Sequence, residues 1–232
     1  MKKYEYILFD ADNTLFDFRK AEYLSFRHTS DMSGLKFSDG LMRTYSDIND
    51  ILWKELEKGT ITLDFLKTER FRRLLVSYGE DDGEETNRRA CEMRDVYMDT
   101  LSRQTCLIDG AAEICRTLSQ KYKLYIVTNG ISMIQRSRFG NSCLRDYFRD
   151  IFVSEEIGYA KPKKEYYDFV LSSIGDWDKS KYLAVGDSLS SDCDGALTYG
   201  IDICRYNPAS LPDTGRVLTY DIKNLSELNE IL

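Results

Sequence analysis

The 232-residue chain is poor in several of the residue types on which protein chemistry commonly relies, beginning with a single histidine, His28. A Ser-His-Asp triad would hang on that one imidazole, and neither a multi-histidine zinc site nor an H-E-x-x-H helix can be built. Acid/base or metal chemistry therefore falls to carboxylates. The six cysteines (Cys91, Cys106, Cys115, Cys143, Cys193 and Cys204) contain no C-x-x-C pair. That scatter reads as reduced packing residues rather than a disulfide framework or a metal cluster. No run approaches the roughly 20 apolar residues needed to span a bilayer. Behind two N-terminal lysines the apolar stretch before Asp10 is only Ile7-Leu8-Phe9, so no export signal is read and the expectation is a cytoplasmic protein without a membrane partner. Positive charge is also in deficit: 32 Lys and Arg face 39 Asp and Glu, a formal net charge of −7. This argues against a nucleic-acid polymer as partner. A small anionic ligand stays compatible, because local positive groups can outweigh the global charge.

What the chain does have is a change of texture along its length. Residues 4–9 (YEYILF) form a short aromatic and β-branched run ending at Asp10, which reads as a buried strand. The three prolines (Pro162, Pro208, Pro212) all lie in the last third. Before them the pattern is helical in four segments, near 19–31, 39–57, 62–78 and 84–101, broken at Gly34, Gly59 and the polar stretch Gly79–Gly83. After Asp109-Gly110 strands and helices alternate: helix 111–120, strand 123–127, helix 132–140, strand 150–153, helix 164–174, strand 182–185, helix 191–199, strand 201–204, and a further strand at 216–219. Alternation of this kind implies a parallel sheet covered on both faces. The expected fold is α/β: a Rossmann-like core formed by residues 1–16 and 106–232, with an all-α cap domain, residues 17–105, inserted after the first strand. Charge does not separate the parts, with 15 basic and 18 acidic residues in 17–105 against 17 and 21 elsewhere.

Ligands of open α/β sheets bind beyond the carboxyl ends of the strands. The first predicted strand runs into Asp10-Ala11-Asp12-Asn13-Thr14, the second into Thr128-Asn129-Gly130, and that at 182–185 into Gly186-Asp187-Ser188 with Ser191-Asp192 just beyond; Lys161-Pro162 precedes a helix. Each string alone has a plain reading, as an Asx-turn, a β-to-α turn, a solvated lysine or a helix N-terminus. Their conjunction brings four carboxylates, a hydroxyl and a lysine to one rim. Carboxylates so crowded repel unless a cation sits among them, and an all-oxygen set suits Mg²⁺. Thr128, Lys161 and the turn N–H groups could bind the remaining oxygens of a phosphoryl group. In that setting Asp10 is suited to nucleophilic attack that forms an aspartyl-phosphate, and Asp12 to protonating the leaving oxygen and later taking a proton from water.

Phe9-Asp10-Ala11-Asp12-Asn13-Thr14-Leu15, Val127-Thr128-Asn129, Lys161-Pro162 and Gly186-Asp187-Ser188-x-x-Ser191-Asp192 resemble the four ordered motifs of the haloacid dehalogenase superfamily. The helical block after the first motif resembles the cap this superfamily inserts there. Leu144-Arg145-Asp146-Tyr147-Phe148, followed by Ser154-Glu155-Glu156-x-Gly158 and Lys161-Pro162, looks most like the cytoplasmic 5′-nucleotidases acting on pyrimidine and modified nucleoside monophosphates. The resemblance implies a Mg²⁺-dependent phosphomonoester hydrolase. In it Asp10 is the nucleophile, Asp12 the acid/base, and Thr128, Asn129 and Lys161 contact phosphate. Asp10, the main-chain oxygen of Asp12 and Asp187 hold the metal, and Asp192 holds water or orients Lys161. The implied partner is a small-molecule phosphate ester, most readily a nucleotide, handled by a monomer or homodimer. Sugar phosphates are the alternative substrate class, for a phosphatase or a mutase, although Asn13 stands where mutases usually have Gly. Asp12 itself argues against halide displacement. Two remoter readings weaken on the same residues: a receiver-like signalling module is much shorter and carries its phosphorylated Asp after the third strand, and a non-catalytic phosphate-binding protein would have lost part of the set Asp10, Asp12, Thr128, Lys161 and Asp187.

Other features read as structural. His28 falls in the first cap helix as a surface or packing residue. Phe16, Phe18 and Trp53 are candidates for stacking on a base, against an expectation that most aromatics are core. Arg70-x-Arg72-Arg73 and Arg88-Arg89 read as solvated helix faces.

Overall fold

The computed structural model describes residues 4–232. The chain divides into two compact units, one formed by the segment up to Arg19 together with Thr105–Leu232, the other by Lys20–Gln104.

The first unit is an α/β sheet. After β1 (Tyr6–Phe9) the chain leaves through α1 (Phe18–Met32), passes through α2 (Asp39–Glu57), α3 (Leu63–Ser77) and α4 (Glu84–Ser102), and returns. There follow α5 (Ala111–Leu118), β2 (Lys123–Thr128), α6 (Ser132–Asn141), β3 (Phe148–Val153), α7 (Ser154–Ile157), α8 (Lys164–Ile174), β4 (Tyr182–Gly186), α9 (Asp194–Tyr199), β5 (Asp202–Tyr206), β6 (Tyr220–Ile222) and α10 (Leu228–Ile231). The six strands are all parallel, in the order β3-β2-β1-β4-β5-β6. This is the parallel-sheet, Rossmann-like α/β architecture that the alternating pattern predicts. Strand periodicity explains why the sheet is covered twice. Ile7 and Phe9 pack with Ala111, Ile114, Cys115 and Leu118 of α5 on one face, whereas Tyr6 and Leu8 pack with Tyr166, Tyr167, Val170 and Leu171 of α8 on the other. The chain moves from β1 to β2 on one side and reaches β4 on the other, so the sheet's switch point lies at the carboxyl end of β1.

Two boundaries differ from expectation for identifiable reasons. The last strand is Tyr220–Ile222, with Tyr220 opposite Cys204, rather than 216–219. Arg216 is instead drawn to α9, where its Nε and Nη2 donate to Asp194 Oδ1 and Oδ2 at 2.5 and 2.7 Å. The helix expected from Ser191 begins as a π-helical turn, Leu189–Cys193, before α9 proper. Such turns recur at functional sites, and this one carries Asp192.

The second unit is all-α. Ser38 and Thr62 cap α2 and α3 by accepting from Leu41 N and Phe65 N at 3.1 and 3.2 Å. Its interior is aromatic: the Phe26 and Tyr45 rings stack at 4.2 Å, and Tyr45 lies 5.6 Å from Phe71 and 5.7 Å from Tyr97. Arg70 corrects the expectation of a solvated arginine face, because it is buried over the Tyr97 and Phe71 rings at 4.6 and 5.1 Å. Its Nη1 donates to Asn49 Oδ1 at 3.3 Å, and Asn49 Nδ2 donates to Glu22 Oε1 at 3.1 Å. Arg72 and Arg73 do stay on the outer face, both paired with Glu69. His28 is exposed, Phe16 is buried, and Trp53 is half-buried. Among the described residues no helix is long and apolar enough to cross a membrane, and all six cysteines are free.

Candidate active site

The carboxyl ends of β1, β2 and β4 assemble the site. Asp10 directly follows β1, its N–H donating to Val185 O on β4 at 2.8 Å, which fixes the carboxylate at the switch point. The chain then turns tightly, with Leu15 N and Phe16 N both donating to Ala11 O. Asn13 takes a left-handed φ of +59° there, a conformation Asn tolerates better than most residues.

Lys161 is the centre of the charge arrangement. It is 2 % exposed, and its Nζ donates to Asp10 Oδ1 at 2.7 Å, Asp192 Oδ1 at 2.6 Å and Val127 O at 2.8 Å. All three ammonium hydrogens thus find acceptors. Burial alone would lower the pKa of this lysine, but attraction from Asp10 and Asp192 outweighs it and holds Lys161 charged, well above the ordinary range. Asn129 fastens the segment that delivers the lysine: its Nδ2 donates to Lys161 O and its Oδ1 accepts from Lys161 N, both at 2.8 Å. The side chain of Asn129, a residue expected to contact phosphate, is thereby committed to the Lys161 backbone. Thr128, the last residue of β2, is buried and its Oγ1 accepts from Gly130 N at 3.0 Å.

The π-helical turn brings Asp192 back over the end of β4, where Oδ2 accepts from Ser188 N at 3.1 Å. A Cβ on Gly186 would overlap the Asp192 carboxylate, so this approach requires glycine at the end of the strand. Carboxylate oxygens of Asp10, Asp187 and Asp192 all lie within 4.8 Å of one another. Three carboxylates therefore share one lysine. Burial first, then the negative neighbours Asp192 and Asp187, pushes Asp10 well above the usual carboxylate range; burial and Asp192 push Asp187 up to about 7. A hard divalent cation offers all-oxygen coordination and relieves this surplus of negative charge, so the donor set fits Mg²⁺.

Asp12 is turned to a different pair of partners. Its Oδ2 accepts from Gln135 Nε2 at 2.7 Å, and its Oδ1 from Arg138 Nη1 at 2.5 Å. Gln135 also donates to Thr128 Oγ1 at 2.9 Å. Sequence reasoning missed both α6 residues, although a signal existed. Gln135 and Arg138 share the inward face of α6 with Ile134 and Phe139, and polar groups on an apolar stripe need a buried partner.

The chain is similar to several known proteins over its whole length. The haloacid dehalogenase-like hydrolase family matches residues 4–200. Bacillus subtilis (strain 168) HAD-hydrolase YfnB is 38% identical over 234 residues, covering 100% of this chain and 97% of its own. Its magnesium-bound crystal structure superposes with a TM-score of 0.91 at 37% identity, covering 100% of this chain and 99% of that one. Pyrimidine 5′-nucleotidase PynA of Streptococcus pneumoniae is 33% identical, with 99% of this chain and 95% of the relative covered. Pyrimidine 5′-nucleotidase YjjG of Escherichia coli (strain K12) is 32% identical, covering 99% and 98%. The chain belongs to the haloacid dehalogenase-like hydrolases, and it is an enzyme of that hydrolase class.

Proposed function

We propose that the protein is a Mg²⁺-dependent phosphomonoesterase acting on nucleoside 5′-monophosphates through an aspartyl-phosphate on Asp10. The observation that carries the reading is the buried Lys161 ammonium, 2.7 Å from a carboxylate at the switch point and 2.6 Å from a second. Asp10, the Asp12 main-chain oxygen and Asp187 would hold Mg²⁺, which supplies positive charge to the non-bridging oxygens and keeps Asp10 ionised. Asp10 attacks phosphorus: the Asp10 O–P bond forms as the ester P–O bond breaks, and the leaving oxygen takes its electron pair and a proton from Asp12. Asp12 then takes a proton from water, whose oxygen attacks phosphorus and frees Asp10. A phosphoryl oxygen would replace one of the three present acceptors of Lys161, the Thr128 hydroxyl would donate to another phosphoryl oxygen, and Asp192 keeps Lys161 aimed. The nucleotide preference rests on the pyrimidine nucleotidases PynA and YjjG being full-length relatives.

The test is an initial-rate panel of nucleoside 5′-monophosphates, sugar phosphates and 4-nitrophenyl phosphate, with Mg²⁺ and with chelator. Nucleotides should be preferred, chelator should abolish turnover, and Asp10→Asn should reduce it by about three orders of magnitude or more. A clear preference for sugar phosphates would overturn the substrate assignment. Undiminished Asp10→Asn turnover would overturn the mechanism.

A further inference from the structure

Gln135 and Arg138 have no role in the steps above, yet both are buried and both reach into the site. Arg138 is fully buried, its guanidinium lying 4.8 Å from the centre of the Phe16 ring and 6.0 Å from that of Phe18. An arginine is costly to bury without a carboxylate, and here its carboxylate is Asp12, at 2.5 Å. The Asp12 side chain is 26% exposed. It would sample several rotamers in water, yet both of its oxygens are engaged, one by each residue of this pair. Arg138 Nη1 also lies 3.4 Å from Gln135 Oε1, closing a triangle of Asp12, Gln135 and Arg138. The same Gln135 Nε2 that donates to Asp12 donates to the Thr128 hydroxyl. A Cβ on Gly130 would overlap the Gln135 side chain, so the turn after β2 is shaped to admit it.

We propose that Gln135 and Arg138 are positioning residues that hold the Asp12 carboxylate for proton transfer to the leaving oxygen and from the attacking water. Gln135 ties that orientation to Thr128. Proton transfer needs a heavy-atom separation near 3 Å, and about 1 Å of misplacement can cost about 100-fold in rate. A two-point clamp on a partly exposed carboxylate selects one rotamer out of several. The Thr128 oxygen accepts from Gln135 and Gly130 N and keeps its own proton to donate, so a phosphoryl oxygen can engage the hydroxyl while the clamp on Asp12 stays intact. The proposal rests on Asp12 being the acid/base.

Leaving groups separate this role from a structural one. A 4-nitrophenolate departs without a proton, whereas an alkoxide needs one, so loss of an oriented acid shows mainly on alkyl esters. The experiment measures kcat/KM, which reports steps through departure of the alcohol, for 4-nitrophenyl, phenyl and alkyl phosphates. It uses the full chain with Mg²⁺, as wild type, Gln135→Leu, Arg138→Met, Arg138→Lys and Asp12→Asn. Melting temperature and calorimetric Mg²⁺ binding are recorded for each. In Gln135→Leu and Arg138→Met the loss on the alkyl ester should exceed that on 4-nitrophenyl phosphate by about 30-fold or more. Asp12→Asn should show the same pattern more strongly, and Arg138→Lys should recover part of it. Equal losses on all esters, or no loss, in Gln135→Leu and Arg138→Met would overturn the proposal. If Arg138→Met does not fold, the uncharged Gln135→Leu decides alone. A leaving-group effect absent from Asp12→Asn itself would instead sink the acid/base reading on which the proposal stands.

Discussion

Raising the pH of the metal-free protein from about 5 to about 8 should weaken it, and Mg²⁺ should reverse the trend. The cause is the shared lysine: Asp10, Asp187 and Asp192 crowd one another, and burial with Asp192 lifts Asp187 from 3.8 to about 7. A carboxyl whose folded pKa is raised keeps its proton where the unfolded chain has lost it. Its contribution to stability is therefore largest at low pH and declines as pH rises through about 7. At about 1.4 kcal/mol per unit, the shift is worth at most about 4 kcal/mol, of which roughly two units fall between pH 5 and 7. Asp187 is only half-buried by surface area, and halving the ceiling for solvent screening leaves about 1.5 kcal/mol, to which Asp10 adds in the same direction. The ion pairs that depress Glu69, Glu156, Asp168, Asp176 and Asp194 lose their contribution only at more acidic pH, so they do not mask the slope. Urea unfolding followed by circular dichroism, with chelator and with saturating Mg²⁺, reads it directly. At free Mg²⁺ about 100-fold above its Kd, the gain should be about 2.7 kcal/mol near pH 8 and smaller near pH 5, because the ligands must first lose protons. Asp187→Asn should flatten the metal-free slope. Metal-free stability that is constant or rises between these pH values, or an unchanged slope in Asp187→Asn, would refute the account of the cluster.

Other outcomes follow from packing. Gly186→Ala should push the Asp192 carboxylate away from Lys161 and cost about 1–3 kcal/mol, read as a lower melting temperature with a loss of turnover; wild-type activity would show that the contact is dispensable. Arg70→Ala, which strips a buried guanidinium from Asn49 and two aromatic rings, should destabilise by about 3–5 kcal/mol. Arg73→Ala on the same helix's outer face should cost less than about 1 kcal/mol. Similar losses in the two variants, measured by chemical denaturation, would contradict the burial assigned to Arg70.

Much of the fold was legible because both periodicities are strong. The α2 boundaries, 39–57, are those expected, and α8 spans 164–174 as read. Legibility failed where a long-range partner overruled a local pattern. Arg216-Val217-Leu218-Thr219 alternates like a strand, but Arg216 is held by Asp194, 22 residues away, and pairing with β5 starts only at Tyr220. Arg70 belongs to a cluster of arginines with nothing local to distinguish it from Arg72; only the edge-to-face rings of Tyr97 and Phe71 decide which of them is inside.

The sequence by itself determined the chemistry on offer. One histidine pointed to carboxylates, and strand-ending Asp10, Thr128 and Asp187 with Lys161 were recognisable as candidates because residue type and spacing are local properties. The tertiary structure decided who touches whom. It set Lys161 between Asp10 and Asp192, spent the Asn129 side chain on the loop carrying that lysine, and turned Asp12 toward Gln135 and Arg138. Such pairings depend on side-chain direction across elements far apart in the chain, and the burial that gives them their energy exists only once the sheet and α6 have packed.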